Sequence, residues 1–229
     1  MDPVHNAYTG ISIQVSLSGY SFKVQEGTEI RRSPWLGAEQ IFSTPEFRRR
    51  YSQVDISLLT PKVALVPEAF LSQASARTAL QEVASLRETD FVESIPVPER
   101  AAVLVFSNSL DESLSKVLSQ MVLPSSGEAV RVLPEMYYLL RELDGLTEYN
   151  KIVASWHQGW LHLVIAQGRQ LSLCNVFEAP DFTTAQYFLF LSLKRLQLNP
   201  EVSTVCFRTP LDPEDELSLY RYFKAVVQL

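Results

Sequence analysis

The chain has 229 residues, of which 46% are hydrophobic and 20% charged, with a formal charge of −6. That is enough apolar material for a full core, in one large domain or two small ones, and it excludes the disordered class. The acidic balance argues against a dedicated nucleic-acid binder, whose footprint is usually basic.

Two cysteines, Cys174 and Cys206, sit in strand-like apolar settings. They allow no disulfide framework and no zinc spacing, so a reducing compartment is expected. The start, "MDPVHNAYTG", has neither a basic n-region nor an apolar h-region, and no secretion signal is read there. The longest apolar stretch, Ala185 to Leu193, falls far short of the ~20 residues a membrane span needs. The expectation is a cytoplasmic protein with no membrane span.

In chain order, Ile11, Ile13, Val15 and Leu17 alternate with polar residues, as do Tyr20, Phe22 and Val24 after Gly19. Two such runs around a Ser-Gly turn predict a hairpin. Residues 28–53 read as an irregular basic insertion. Strand character resumes at "VDISLL" and "KVALV", and "PEAFLSQASARTALQEVASL" predicts a helix opened by Pro67 and Glu68. "AAVLVF", Ala101 to Phe106, is continuously apolar, the pattern of a strand buried on both faces in a parallel or mixed sheet. A short helix at "DESLSKVLSQM", a strand at "AVRVL" and a helix at "PEMYYLLREL" complete the first half.

The second half gives three strands, "KIVASWH", "WLHLVIAQ" and "RQLSLCNVF", with turns at Gln158-Gly159 and Gln167-Gly168. A helix over "TTAQYFLFLSLKRLQL" follows, with a Thr183/Gln186 capping box. Then come a strand at "STVCF", a helix at "DPEDELSLYRYF" and a last strand at "KAVVQL". The two halves share their element order, and each opens with a glycine-turn hairpin. This predicts a duplicated βββαβαβ architecture, divided as 1–147 and 148–229, with a cleft between the subdomains.

That pattern resembles the actin-like (ribonuclease H-like) ATPase fold, shared by sugar kinases and pilus-assembly ATPases. Through "ISIQVSLSGYSF", "ALVPEAF" and "GWLHLVIAQGRQL" the chain further resembles an uncharacterised Bacteroidetes family of unknown function with small actin-like folds. The resemblance implies ATP between the subdomains, with each first hairpin presenting an Asp-x-Gly turn to phosphate and magnesium. The matching triplets here are Leu17-Ser18-Gly19 and His157-Gln158-Gly159, which keep the glycines and lack both aspartates. The Gly-Gly turn that admits adenosine in the wider fold is matched by Arg208-Thr209-Pro210, where proline removes a donor and fixes φ. Ser16, Ser18, Gly19, His157, Gln158, Gly159 and Thr209 are therefore the candidates for a vestigial nucleotide site.

Composition points the same way. Eight glycines are about half the usual ~7% share, and neither GxxxxGK[ST] nor GxGxxG occurs. No catalytic residue, metal or cofactor is expected. His157 and His162, even with Glu178 or Asp181, lack ligand spacing and read as structural or surface histidines. The tryptophans Trp35, Trp156 and Trp160 read as packing residues.

Arg31, Arg32, Arg48, Arg49 and Arg50 form a basic cluster, either an anion or partner patch or a solvated face paired with Glu39 and Glu46. The leading functional reading is a non-catalytic interaction or scaffold protein with a protein partner. The alternative is a Mg-ATP-dependent ATPase or small-molecule kinase using displaced carboxylates such as Asp55, Asp111 or Asp144. A third is an RNA- or phosphate-associated factor using the arginines.

Overall fold

The computed structural model describes residues 9–71, 75–108 and 112–229. The reading of the first eight residues and the candidate Asp111 lie outside them. The expected first hairpin forms from β1 (Thr9–Ser16) and β2 (Gly19–Glu26), with Ser16 facing Gly19 across a two-residue turn. β3 (Glu29–Arg32) continues this sheet antiparallel to β2, and β4 (Leu36–Gly37) pairs with the start of β2. Two single-turn 3-10 helices, Ala38–Gln40 and Pro45–Arg48, lead to β5 (Gln53–Leu58), which runs parallel to β1. Residues 28–53 thus contain the third strand of the sheet and are no insertion.

The next segment holds β6 (Val63–Pro67), short helices α1 (Glu68–Leu71) and α2 (Ala76–Gln81), β7 (Val92–Val97) and β8 (Ala102–Ser107). The single helix expected from Pro67 to Leu86 is replaced by these two. Ser75, in extended conformation, accepts from the Thr78 N–H and starts α2 afresh, as an N-cap does. The apolar run of β8 is a central strand as expected, but both of its neighbours, β6 and β7, are antiparallel.

α3 (Glu112–Met121) and β9 (Val132–Pro134) follow, β9 joining the first sheet beside β5. α4 (Glu135–Gly145) leads into β10 (Asn150–His157), β11 (Trp160–Gln167) and β12 (Gln170–Glu178). The chain ends with α5 (Phe182–Arg195), β13 (Thr204–Phe207), α6 (Pro213–Tyr220) and β14 (Ala225–Gln228). The cap of α5 is Asp181, which accepts from the Thr184 N–H at 2.7 Å, in place of the Thr183/Gln186 box.

The chain forms two compact units, Met1–Leu59 with Leu110–Leu133, and Thr60–Ser109 with Pro134–Leu229. They are discontinuous in sequence and differ from a cut at 147/148, because the β6–β8 sheet and α4 share a core with β10 and β11. The repeat nevertheless holds at the level of topology. The sheet of the first unit has the order β3-β2-β1-β5-β9, and the five-stranded sheet of the second has the order β12-β11-β10-β13-β14. In both, the first strand is antiparallel to the second and parallel to the fourth.

The second unit is a full βββαβαβ. In the first, β4 and the two 3-10 turns stand where the second has α5, and the β6–β8 segment is inserted in the connection after β5.

Packing explains the patterns. In the first unit Ile11, Ile13, Val15, Tyr20 and Ile56 form a core with Phe47, Tyr51, Leu114 and Leu118. The Tyr20 hydroxyl shares a hydrogen bond with Thr44 Oγ1 at 2.5 Å, so the buried phenol is satisfied. In the second unit, Ile152, Leu161, Leu163, Val205 and Phe207 pack one sheet face against Ala185, Leu189, Leu193 and Leu219 of α5 and α6. Val153, Val164 and Cys206 pack the other face against Met136, Leu139 and Leu143 of α4 and Leu104 and Phe106 of β8. Two covered faces are the reason β11 is continuously apolar from Leu163 to Ala166.

Candidate functional site

In open α/β sheets ligands bind at the carboxyl ends of the parallel strands, so the ends of β1 and β10 are where a site is sought. β1 ends in the Leu17-Ser18 turn. Ser16 Oγ accepts from the Ser18 N–H at 3.3 Å, and the Ser18 carbonyl accepts from the Ala38 N–H at 3.3 Å. Leu17 is the exposed tip. A Cβ on Gly19 would lie 1.9 Å from the Leu36 carbonyl oxygen. This glycine is required by the close approach of β4.

β10 ends differently. His157 and Trp160 are the last facing pair, so the turn residues are Gln158 and Gly159, at φ 47° and 80°. That left-handed pair suits the twist of a two-residue hairpin. The Gly159 carbonyl accepts from the Ala179 N–H at 2.7 Å, and Trp156 Nε1 donates to the Ala179 carbonyl at 2.9 Å. The two triplets therefore coincide as hairpin ends, but their glycines are out of step by one position. Each has a local structural reason.

Gly19→Ala should cost about 1–3 kcal/mol, because β4 has to leave β2. Gly159→Ala should cost about 1–2 kcal/mol through its positive φ. Thermal melts of the two variants check this, and the absence of any loss at Gly19 would contradict the close approach.

Beside the end of β10 lies the end of β13. Thr209 is buried, its Oγ1 accepting from the Trp156 N–H at 2.9 Å. The Arg208 N–H donates to the Ala154 carbonyl at 3.0 Å, and Gln228 Nε2 donates to the Phe207 and Arg208 carbonyls at 3.1 Å. The Arg208 guanidinium points inward. Nη1 donates to Glu135 Oε2 at 2.6 Å, Nε lies 3.8 Å from Glu142 Oε1, and the group stacks 5.0 Å above the Tyr138 ring. Glu135, fully buried in the first turn of α4, also accepts from Ser155 Oγ at 2.6 Å.

This buried ion pair was not foreseen. Glu135 stands in the sequence only as part of the "PEMYYLLREL" helix, and its partner lies 73 residues away, a separation that no local pattern encodes. Of the predicted candidates, Thr209, His157 and the Gln158-Gly159 turn come together at the carboxyl ends of β10 and β13. Ser16, Ser18 and Gly19 form the corresponding turn of the first unit.

The remaining candidates fall into separate places. Burial pushes the His157 pKa down to about 4. His162 is buried with Nε2 2.9 Å from the Thr60 carbonyl; burial disfavours its charged form, against the pull of the Thr60 bond and the Glu135 charge. Burial raises the Cys174 thiol to about 12 and Cys206 to about 11, so neither is a ready nucleophile. Trp156 packs edge-on against Phe182 at 5.2 Å, as expected for a packing residue. Among the described residues no group of three or more His, Cys, Asp or Glu side chains is placed to hold a metal. No described helix is long and apolar enough to cross a membrane.

Of the basic cluster, Arg31 and Arg49 share Glu26, at 3.4 and 2.5 Å, and Arg48 donates to the Phe42 carbonyl at 3.1 Å. Arg31 and Arg49 thus pair with Glu26 from the hairpin, where Glu39 and Glu46 were expected. Asp55 accepts from Gln53 Nε2 at 3.0 Å in the first unit, and Asp144 pairs with Arg100 in the second.

Similarity to solved structures agrees with this architecture. A Bacteroides thetaiotaomicron protein with actin-like ATPase fold and unknown function is 17% identical, over the whole of this chain and 93% of that one, with a TM-score of 0.65. The PilM-PilN type IV pilus biogenesis complex gives 13% identity over 96% of this chain and 88% of that one, with a TM-score of 0.55. At these identities the likeness speaks for the fold, which is the duplicated actin-like one. No curated protein matches in sequence. Residues 7–226 match the family described as "Protein of unknown function (DUF3822)", and the chain belongs to that family.

Proposed function

We propose that this chain is a non-catalytic interaction protein, which uses an actin-like ATPase fold as a scaffold for a protein partner. The observation that carries the reading is the chemistry at the carboxyl ends of β10 and β13. Phosphoryl transfer is mostly positioning and metal-assisted charge stabilisation. The side chains available there are committed elsewhere: Thr209 to the Trp156 N–H, and Arg208 to Glu135. Pro210 follows them without a backbone donor. The equivalent turn of the first unit offers Leu17 and Ser18, with the Ser18 N–H turned to Ser16 Oγ. These residues suit a closed structural turn better than a nucleotide cradle.

A protein partner is the natural use of such a scaffold, and the PilM-PilN complex is an instance of this fold in a protein assembly. Calorimetric titration with Mg-ATP is the test. The expected result is no binding heat at millimolar nucleotide. Saturable micromolar binding that is lost without magnesium would overturn the proposal in favour of the displaced-carboxylate enzyme.

A further inference from the structure

The second unit contains a cavity of about 590 Å³ beside the β11–β12 turn, at the end of β10 and β11 away from Gln158-Gly159, lined by Val97, Arg100, Tyr137, Arg141, Lys151 and Arg169, with Glu99 and Asp144 as its acids. The volume lies in the usual range for small-molecule sites, about 300–1,000 Å³. Four cations against two acids is a local excess of two positive charges, in a chain whose formal charge is −6. One of the acids is already used, since Asp144 pairs with Arg100 Nη2. Arg100 Nη1 donates to the Arg169 carbonyl at 2.9 Å. Its Nε is buried and has no hydrogen-bond partner among the described residues.

A second cavity of about 440 Å³ shares Glu99, Arg100 and Arg169 with the first. Its other walls are apolar: Leu65, Pro67, Pro98, Ala101, Ala102 and Leu171. The two spaces therefore meet at Arg100 and Arg169, the first lined mostly by charged side chains and the second adding apolar walls.

We propose that this pair of cavities binds a small organic anion, its phosphate or carboxylate head among Arg100, Arg141, Lys151 and Arg169 and its apolar body against Leu65 and Leu171. This goes beyond the interaction reading and is independent of it. Cationic side chains supply charge-assisted bonds to the head, while burial of the tail adds affinity for each methylene withdrawn from water.

The test is calorimetric titration of the full chain with hexyl phosphate, hexanoate, inorganic phosphate and neutral hexanol. Hexyl phosphate is expected to bind at least about tenfold tighter than inorganic phosphate, from the buried tail. Hexanol should not bind measurably. Lys151→Gln and Arg169→Gln are only partly buried or exposed positions and leave the Arg100 pair with Asp144 intact. Each should weaken hexyl phosphate about tenfold, with thermal melts unchanged. Leu171→Asn should weaken hexyl phosphate and leave inorganic phosphate as it was. No binding of hexyl phosphate at millimolar concentration would overturn the proposal, as would equal affinity for hexyl and inorganic phosphate, or affinity unchanged in both cation variants. A variant with a lowered melting temperature is replaced by Lys151→Met or Arg169→Met, for which the same weakening is expected.

Discussion

Arg208→Met should lower the free energy of unfolding by about 3–5 kcal/mol, the cost of leaving a buried partner charge uncompensated. The Arg208 and Glu135 side chains are 4% and 0% exposed, so water cannot take the place of the missing guanidinium. Ser155 Oγ would still donate to Glu135, but a neutral hydroxyl does not replace the lost positive charge. Replacing both partners, as Glu135→Leu with Arg208→Met, should restore most of the loss, because well-packed apolar groups often match a buried ion pair. Urea denaturation of the single and double variants reads both effects. A single-variant loss below about 1 kcal/mol, the range of solvent-exposed pairs, would mean that the pair is hydrated and that Arg208 is available to a ligand.

The second large effect is acid sensitivity. Stability should be full above about pH 6.5 and fall as the pH drops toward 4. Unfolded histidine protonates near pH 6.5. In the folded chain, burial holds His157 down to about 4 and holds His162 below its ordinary value too. Between those limits the unfolded state binds more protons, so lowering the pH favours unfolding. His157 is only partly buried, and solvent screening limits its share to about 1–2 kcal/mol.

The carboxylates act lower on the scale. Burial raises the Asp90 carboxyl, but the bonds from Lys62 and the Arg87 N–H more than offset this, and its pKa lies below 3.8. Its contribution is lost only beneath the histidine window. Denaturation midpoints from pH 4 to 7 check the assignment. His157→Gln and His162→Gln should each flatten the slope above pH 4, and an unchanged slope in both would contradict it.

Much of the fold was legible in the sequence, because the signals were periodic. The alternation of Ile11, Ile13 and Val15 with polar residues and the glycine turns of both hairpins are local patterns, although Gln14 and Ser16 of β1 are buried as well. β3 was missed for the opposite reason. Glu29 to Arg32 is exposed at all four positions, so an edge strand with no buried face left no alternation to read. That omission shifted the comparison of the halves by one strand. "VDISLL" and "KVALV" together fill the third place of the first half in the sequence reading, whereas β5 pairs with β1 as the fourth strand does in the second unit.

The helix expected from Pro67 failed because its composition is helical while Ser75 caps a new start within it. At the site, the turn residues were legible because turns are local chemistry. The partners of Arg208, and the meeting of Arg100, Arg141, Lys151 and Arg169 around one cavity, arise from separate segments. Such encounters are set by topology, and short-range pattern carries no trace of them.

Phosphate release from Mg-ATP by the purified chain tests the central claim, that this actin-like fold performs no phosphoryl transfer. The account predicts release indistinguishable from the background without protein. A magnesium-dependent turnover of about 1 per second, within the ordinary range of enzymes, that falls at least tenfold in Asp55→Asn or Asp144→Asn would contradict it.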